Sequence, residues 1–201
     1  MKSTHPYPPF IPKGATKLII GTIPPPRFCK EKIDLYDDDV NFYYGSRDNS
    51  FWSILEEIFE EKLIYKNISE AVEQRKTFLE KNRIGITDIV AECIHDNDSA
   101  NDKDLKDIKR KDIGVLLTDN PEINTLIYTS EFVKKQINEH FNNTYHSIDQ
   151  TNKKKQTVRI NGKLYQVRIL YSPSPLALIN MGKDGTFKRK EQYKEFLTED
   201  L

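Results

Sequence analysis

Short apolar runs alternate with amphipathic stretches along this chain, and this alternation is the feature that most constrains its fold. The runs TKLIIG, RIGITDIV and EINTLIY are typical of buried strands, because each is brief, apolar and bounded by polar or turn-forming residues. Strands that alternate with helices favour an α/β fold with a mainly parallel sheet. The length of 201 residues suits one ordinary domain, and no internal repeat is evident. We therefore predict a single domain over residues 1–201.

Local patterns also predict several helices and one hairpin. In NSFWSILEEIFEEKL the apolar residues recur at helical spacing, and Asp48, Asn49 or Ser50 can cap the helix that they predict. Further helices are predicted at SEAVEQRKTFLEKN, SEFVKKQINEHF and FKRKEQYKEFLTED, and part of DLKDIKRKDIGVLLTDN is predicted to be helical. The pair Asn161-Gly162 lies between two β-like runs and predicts a tight hairpin.

Charge and cysteine content argue against several classes of protein. The formal net charge is zero, and no apolar run approaches the ~20 residues that cross a bilayer, so we expect no membrane partner. The first residues lack the apolar segment of a signal peptide, and Cys29 and Cys93 form no CxxC pair, which favours a reduced, cytoplasmic setting. Neither metal-ligand spacing nor a nucleotide-binding glycine motif is present, so we expect no metal and no cofactor.

One stretch is locally basic. Between Gln150 and Lys183 there is no Asp or Glu, while Lys and Arg recur throughout. Such a stretch is either a surface that faces phosphates or an ordinary solvated hairpin.

Three predicted strands end in unusual loops, namely GTIPPP, the longer segment TDIVAECIHDNDSAND, and SPSPLAL. In sheets of this kind ligands bind beyond the carboxyl ends of the strands, so we expect the three loops to converge on one cleft. Ser172 and Ser174 in the last loop lack the elbow and the His and acid partners of a serine nucleophile.

The segment NFYYGSRDNSFW between the first two of these strands admits two interpretations. Asn49 is either a helix cap or a functional amide. The neighbouring rings are either core or a platform for a ligand; they are Tyr43, Tyr44, Phe51 and Trp52.

Taken in order, LIIGTIPPP, FYYGSRDNSFW and LYSPSPLAL resemble the uracil-DNA glycosylase superfamily, and GITDIV with the acidic segment after it resembles the hypoxanthine-type branch. The resemblance covers about residues 5 to 180. It implies a three-layer α/β/α fold with a central, mainly parallel four-stranded sheet. It also implies a monofunctional, metal-independent DNA glycosylase that removes a deaminated base (uracil, hypoxanthine or xanthine).

The chain departs from the best-known members of the superfamily at two positions, and the first of them indicates which branch is nearer. In the mismatch-specific enzymes an Asn stands two places after the glycine of the first loop, where this chain has Ile23. The hypoxanthine-type branch also lacks a polar residue there and uses the Asn of its N-x-F-W segment, which matches Asn49 in this chain. The late loop begins with Ser172, where the main uracil enzymes have His.

The resemblance assigns roles to individual residues. Tyr44 stacks on the flipped base, Asn49 positions the attacking water, and Leu176 is the wedge that fills the gap in the duplex. Tyr43, Phe51 and Trp52 are expected to pack behind Tyr44 and hold its ring in place. By the same resemblance, the catalytic residues are Asn49 and Ser172, the base-binding residues are Gly21, Thr22, Ile23, Pro24, Tyr44 and Phe51, and the DNA-binding residues are Ser174, Pro175, Leu176 and Lys183.

The implied partner is double-stranded DNA with a damaged or mismatched base, bound by a monomer. Two alternatives stay open. The first is a nucleic-acid-binding or regulatory module that kept the fold and lost the chemistry, which Ile23 and Ser172 motivate. The second is hydrolysis of free nucleosides, which the apolar Leu176 argues against because a small substrate leaves no stacking gap.

Overall fold

The structure is a computed structural model of the chain, and it describes residues 2–30, 34–96, 99, 101–141, 145–147 and 153–198. The strands are β1 Lys2–Thr4, β2 Lys17–Gly21, β3 Ile84–Asp88, β4 Val90–His95, β5 Leu105–Arg110, β6 Thr125–Tyr128, β7 Tyr145–Ser147, β8 Lys155–Ile160 and β9 Lys163–Ile169. The helices are α1 Phe51–Phe59, α2 Ser69–Lys81, α3 Ile113–Asp119, α4 Glu131–Phe141, α5 Pro175–Ile179 and α6 Gly185–Thr198.

The main sheet has the strand order β3-β2-β6-β9-β8-β7. The pairs β3-β2, β2-β6 and β6-β9 are parallel, whereas β8 and β7 join the edge antiparallel. The fold is therefore α/β. Four neighbouring strands are parallel, but the sheet formed by the described residues is mixed and six-stranded, so the prediction of a four-stranded sheet is not confirmed. The extra strands arise because Asn161 and Gly162 both adopt positive φ, 48° and 83°, and turn β8 directly into β9. The predicted hairpin is confirmed.

A second, three-stranded antiparallel sheet has the order β1-β4-β5 and was not predicted. Part of the segment expected to be helical forms β5 instead, and α3 follows it. The charged side chains of LKDIKR suit a helix surface equally well, but here β5 pairs with β4, and Lys109 bonds Glu92 across the two strands at 3.1 Å. Pairing between distant segments has therefore overridden local preference.

Two apolar cores lie on opposite faces of the main sheet, because neighbouring residues of one strand point to opposite sides. Ile19 of β2 packs with the buried rings of α1 and with α2 and α6. Leu18 and Ile20 of the same strand pack with α3, α4 and the inner side of β4. Both faces of the sheet are thereby covered, one by helices and the other by helices and the small sheet.

The helices begin close to their predicted starts. α1 ends at Phe59, earlier than the apolar pattern predicts, because Glu60 takes a left-handed conformation with φ 53° and closes the helix. In α2, Ser69 is the first helical residue and Ile68 occupies the capping position. Within the described part of the chain, no helix combines the length and the apolar character needed to cross a membrane.

The basic stretch is largely the hairpin of β8 and β9. Lys155 pairs with Glu195 of α6 at 2.8 Å. Lys163 donates hydrogen bonds to the carbonyl oxygens of Pro121 and Ile123, at 2.6 and 2.7 Å. Because these cations have partners within the fold, the interpretation as a solvated hairpin describes this part of the stretch better than a continuous phosphate-facing surface.

Candidate active site

A cavity of about 410 Å³ opens beyond the carboxyl ends of the parallel strands. The loops after β2 and β9 contribute to its wall, as does Asp102 at the end of the segment after β3, so the three loops expected to converge all reach it. The segment before α1 completes the wall. Of the residues assigned from sequence, the structure brings together Thr22, Ile23, Tyr44, Asn49, Ser172, Ser174, Pro175 and Leu176. The wall also contains Pro25, Arg27, Ser46, Asp48, Asp102, Thr129, Ser130 and Pro173, to which the sequence had assigned no role.

Gly21 is the last residue of β2 and allows two polar side chains to lie directly over the strand end. A Cβ atom at this position would lie 2.1 Å from the phenolic oxygen of Tyr44 and 2.2 Å from Oδ1 of Asp88. Such distances are far below van der Waals contact. Gly21 therefore supports the site by leaving room for the side chains of Tyr44 and Asp88. The sequence had assigned it to base binding.

Tyr44 is held by contacts at both ends of its side chain. Its ring stacks on Phe51 with centroids 4.4 Å apart, and its hydroxyl donates to Oγ1 of Thr129 at 2.9 Å. Burial raises the pKa of Tyr44 well above its usual value, so the phenol stays neutral and remains a donor. The backbone of Tyr44 has φ 54°, a left-handed conformation that is rare for a bulky residue.

Phe51 has no exposed surface, so it supports the ring of Tyr44 and does not line the cavity. Phe51 therefore lies behind Tyr44, as expected for its packing role, and its assignment as a base-binding residue can apply only through Tyr44. Trp52 lies beside it at 5.3 Å between centroids, and its indole N–H donates to the carbonyl oxygen of Tyr43 at 2.7 Å. The interpretation of these rings as core holds for Tyr43, Phe51 and Trp52, and Tyr44 alone of the four reaches the cavity.

A buried carboxylate organises the loop that carries Tyr44. Arg27 donates two hydrogen bonds to Asp39, at 2.8 and 2.9 Å, and a third to Oγ of Ser46 at 2.7 Å. The backbone N–H groups of Tyr36 and Arg47 also donate to Asp39. Burial alone would raise the pKa of Asp39, but these donors outweigh it and hold the pKa below its ordinary value.

Asn49 both lines the cavity and caps α1. Its Oδ1 accepts a hydrogen bond from the backbone N–H of Phe51 at 2.9 Å. The two interpretations weighed from sequence are therefore compatible, because an amide oxygen has two acceptor sites and only one is used by the helix. The bond also fixes the direction of the amide group.

The late loop is tied to the start of α1 by a buried arginine. Arg189 of α6, which is 1% exposed, donates to Oγ of Ser50 at 2.8 Å and to the carbonyl oxygen of Ser174 at 3.1 Å. Ser50 in turn donates from both its N–H and its hydroxyl to the carbonyl oxygen of Pro173. The wall containing Ser172 is thereby fixed relative to Asn49. Ser172 accepts from the N–H of Ser174 at 3.3 Å.

Asp102 is the residue that sequence reasoning missed. It begins a short 3₁₀ helix between β4 and β5, and its Oδ2 accepts a hydrogen bond from the hydroxyl of Thr22 at 3.1 Å. Burial raises its pKa to about 6, and the charge of Asp88 adds to the effect. Asp102 is the last residue of the acidic segment noted from sequence, but nothing in that run of polar residues distinguishes Asp102 from the other acidic residues.

A polar cluster lies behind the site, under the end of β3. Asp88 bonds Nε2 of His5 at 2.8 Å, and Nζ of Lys111 lies 3.1 Å from Nδ1 of the same ring. Burial lowers the pKa of Lys111 to about 8. Asp88 also lines a smaller cavity of about 70 Å³, which adjoins the main one and shares Thr22, Tyr44 and Asn49 with it.

Besides Gly21 and Phe51, two further assigned residues do not line the main cavity. Pro24 is buried and lines only the smaller cavity, and Lys183 is exposed in the turn between α5 and α6. Among the described residues, no group of three or more His, Cys, Asp or Glu side chains is arranged to hold a metal ion.

Comparison with known proteins found a match among solved structures alone: no protein-family model and no curated protein matches this chain. The fold is similar to the solution NMR structure of a protein from Methanosarcina acetivorans that is described as a candidate uracil DNA glycosylase. The TM-score is 0.63 over 98% of this chain and 97% of that one, at 16% sequence identity. An identity this low establishes a shared fold and no more.

Proposed function

We propose that this protein is a monofunctional, metal-independent DNA glycosylase that flips a deaminated base, such as uracil, hypoxanthine or xanthine, out of DNA and hydrolyses its N-glycosidic bond. The observation that carries the proposal is the convergence of three segments, far apart in sequence, on one cavity of about 410 Å³. The description of the similar solved structure as a candidate glycosylase supports it. The proposal treats residues 1–201 as one domain that acts as a monomer on double-stranded DNA.

The fixed ring of Tyr44 supports the base-flipping part of the proposal. Extruding a nucleotide costs a few kcal/mol, and least for a damaged or mispaired base. Stacking of a base on an aromatic side chain contributes roughly 1–3 kcal/mol, enough to offset much of that cost. Because Phe51 and Thr129 already hold the ring, little conformational entropy is lost when a base stacks on it.

Asn49 would supply the water that attacks the sugar. Breaking the bond between sugar and base places positive charge on the sugar and negative charge on the base. An amide is too weak a base to remove a proton, but its oxygen can position a water molecule. In Asn49 the hydrogen bond from the backbone N–H of Phe51 already fixes the orientation of the amide group. The hydroxyl of Ser172 and the backbone N–H groups of Thr22 or Ile23 are the proposed donors to the departing base.

The late loop would hold the duplex. Leu176 is 54% exposed at the rim of the cavity, where an apolar side chain can enter the space that the flipped base leaves. Ser174 and Pro175 adjoin it on the same wall. Lys183, exposed at the end of this region, would contact a phosphate from outside the cavity.

The test is release of bases from labelled oligonucleotides that contain uracil, hypoxanthine or xanthine, in single- and double-stranded form, with abasic sites as the product. We expect the wild-type chain to release at least one of these bases. Asn49→Ala should lower the rate by about 10²-fold or more while DNA binding is retained. Asn67→Ala, at an exposed asparagine that does not line the cavity, is the matched control and should be unaffected.

One observation favours a second candidate, a nucleic-acid-binding module without chemistry. Ile23 offers no polar side chain to the cavity, and one acceptor site of Asn49 is already used by α1. DNA binding of normal strength with no base released from any of the substrates would establish this second function and refute the first.

A further inference from the structure

Asp102 has a place in the cavity that the proposed chemistry leaves unused. It lines the same wall as Thr22, yet the mechanism above needs only the hydroxyl, the amide and the backbone donors. One carboxyl oxygen accepts from Thr22, and the group has no Lys, Arg or His partner within the described residues. A carboxyl group without a cation at the wall of a ligand-sized cavity is a candidate acid or base.

The position of Asp102 relative to Asn49 decides between these two roles. Asn49 precedes α1, whose side chains pack in the core on one face of the main sheet. Asp102 precedes Leu105, which packs against the core on the other face. The segments that carry the two residues therefore approach the cavity from the two faces of the sheet. Water that attacks C1′ from the side of Asn49 would expel the base toward the side of Asp102.

We propose that Asp102 is the catalytic acid of this site, which protonates N7 of a departing purine base. This inference rests on the proposed glycosylase function. A purine carries a basic ring nitrogen whose protonation weakens the glycosidic bond, whereas uracil has no comparably basic nitrogen. A carboxylic acid on the leaving-group side consequently helps the purine far more.

The step balances as follows. The bond between C1′ and N9 breaks and its electron pair goes to the base, while the carboxyl proton of Asp102 passes to N7. The oxygen of the water held by Asn49 forms the new bond to C1′. The proton that this water loses passes through solvent to the Asp102 carboxylate, so that the carboxyl group is restored and the base leaves neutral.

The surroundings of Asp102 raise the pKa of its carboxyl group, so that the protonated form persists to a higher pH than in an ordinary aspartate. Burial raises its pKa to about 6, and the like charge of Asp88 at the end of β3 also raises it. The hydrogen bond from Thr22 lowers the pKa, but by less than burial raises it. The cation on the cavity wall, Arg27, is engaged by Asp39. The other titratable groups that face the cavity or share the 3₁₀ helix are Tyr44, Asp48, Lys103 and Asp104. The acid form is present below about pH 6 and is lost above it.

The experiment compares single-turnover base release by the wild-type chain and by Asp102→Asn, which keeps the shape but carries no transferable proton. The substrates are oligonucleotides with hypoxanthine, with 7-deazahypoxanthine, which lacks N7, and with uracil. We expect Asp102→Asn to lower hypoxanthine release by about 10²-fold, and uracil release by less than about threefold. The wild-type chain should lose a similar factor on 7-deazahypoxanthine, and the variant should show no further loss there.

The pH profile is a second readout. Release of hypoxanthine by the wild-type chain should fall about tenfold per pH unit above pH 6, and the profile of Asp102→Asn should be flat. If the variant unfolds, the wild-type chain alone still tests the inference, through its rates of release of hypoxanthine and of 7-deazahypoxanthine. Equal rates on these two substrates would overturn the role of N7.

Other results are equally decisive. An equal loss on all three substrates in Asp102→Asn would mark a structural role and overturn the inference, and so would an unchanged rate on hypoxanthine. Release of uracil with no purine released would overturn it while the glycosylase function stands. No base released from any substrate by the wild-type chain would refute the proposed function itself.

Discussion

Gly21→Ala should damage the site and the stability of the fold together. The change adds one methyl group where the phenolic oxygen of Tyr44 and a carboxyl oxygen of Asp88 would lie 2.1 and 2.2 Å from it. Gly21 does not have positive φ, so alanine meets no backbone strain and the entire effect comes from lack of space. Tyr44 must move, and its hydrogen bond to Thr129 must break.

The expected loss is the sum of two contributions. Overpacking of a full interior costs typically about 1–3 kcal/mol. The broken hydrogen bond between Tyr44 and Thr129 costs about 1 kcal/mol more. The free energy of unfolding should therefore fall by about 2–4 kcal/mol.

The assay is urea unfolding followed by the fluorescence of Trp52, which is the only tryptophan and is buried beside Phe51. With a denaturant dependence of about 2 kcal/mol per molar urea, the midpoint should fall by about 1–2 M. Gly85→Ala is the matched control on the neighbouring strand β3. Its Cβ would meet only the methyl ends of Leu18 and Ile11, at 3.1 and 3.2 Å, which can yield, so the midpoint should change little.

A midpoint for Gly21→Ala within about 0.3 M of the wild-type value would refute this reasoning, because it would mean that Tyr44 and Asp88 can leave the strand end at no cost. Base release provides an independent check. The displaced ring should lower single-turnover excision even under conditions where the variant is fully folded.

Three further predictions follow from the same contacts. Asn49→Ala should lower the free energy of unfolding by about 0.5–2 kcal/mol in urea melts, because α1 loses the cap on Phe51, and no destabilisation would contradict the cap. The melting temperature should fall as pH drops below the ordinary carboxyl pKa of 3.8, because the pKa of Asp39 is lowered in the folded state and its bonds to Arg27 are lost on protonation. Asp39→Asn should make the melting temperature less dependent on pH in this acidic range. Leu176→Ala should weaken excision from double-stranded DNA more than from single strands, and an equal loss on both would exclude a wedge.

Much of the fold follows from local sequence because the signals there are strong. The run TKLIIG forms β2, whose five residues are all buried, and Asn161-Gly162 forms the turn that its residue types require. β5 could not be predicted in the same way. Its charged residues are compatible with either state, and pairing with β4 decides between them.

The site was predictable only where residues belong to a recognisable segment. Tyr44, Asn49 and Ser172 occur in segments that resemble those of a known superfamily, and all three reach the cavity. Asp102 and Thr129 could not be assigned, because a carboxyl or hydroxyl in a polar loop acquires its surroundings only when the chain folds. Phe51 belongs to the same segment, and its position behind Tyr44 agrees with the packing expected for it.

The left-handed backbone of Tyr44 has a consequence for anyone who redesigns this chain. Glycine or asparagine would occupy that conformation with less strain, so a search for more stable variants that scores backbone geometry alone would replace the tyrosine. The resulting protein would lose the stacking on Phe51, the hydrogen bond to Thr129 and the surface against which a nucleobase is proposed to rest. Backbone strain at this position should therefore be weighed together with the contacts of the ring.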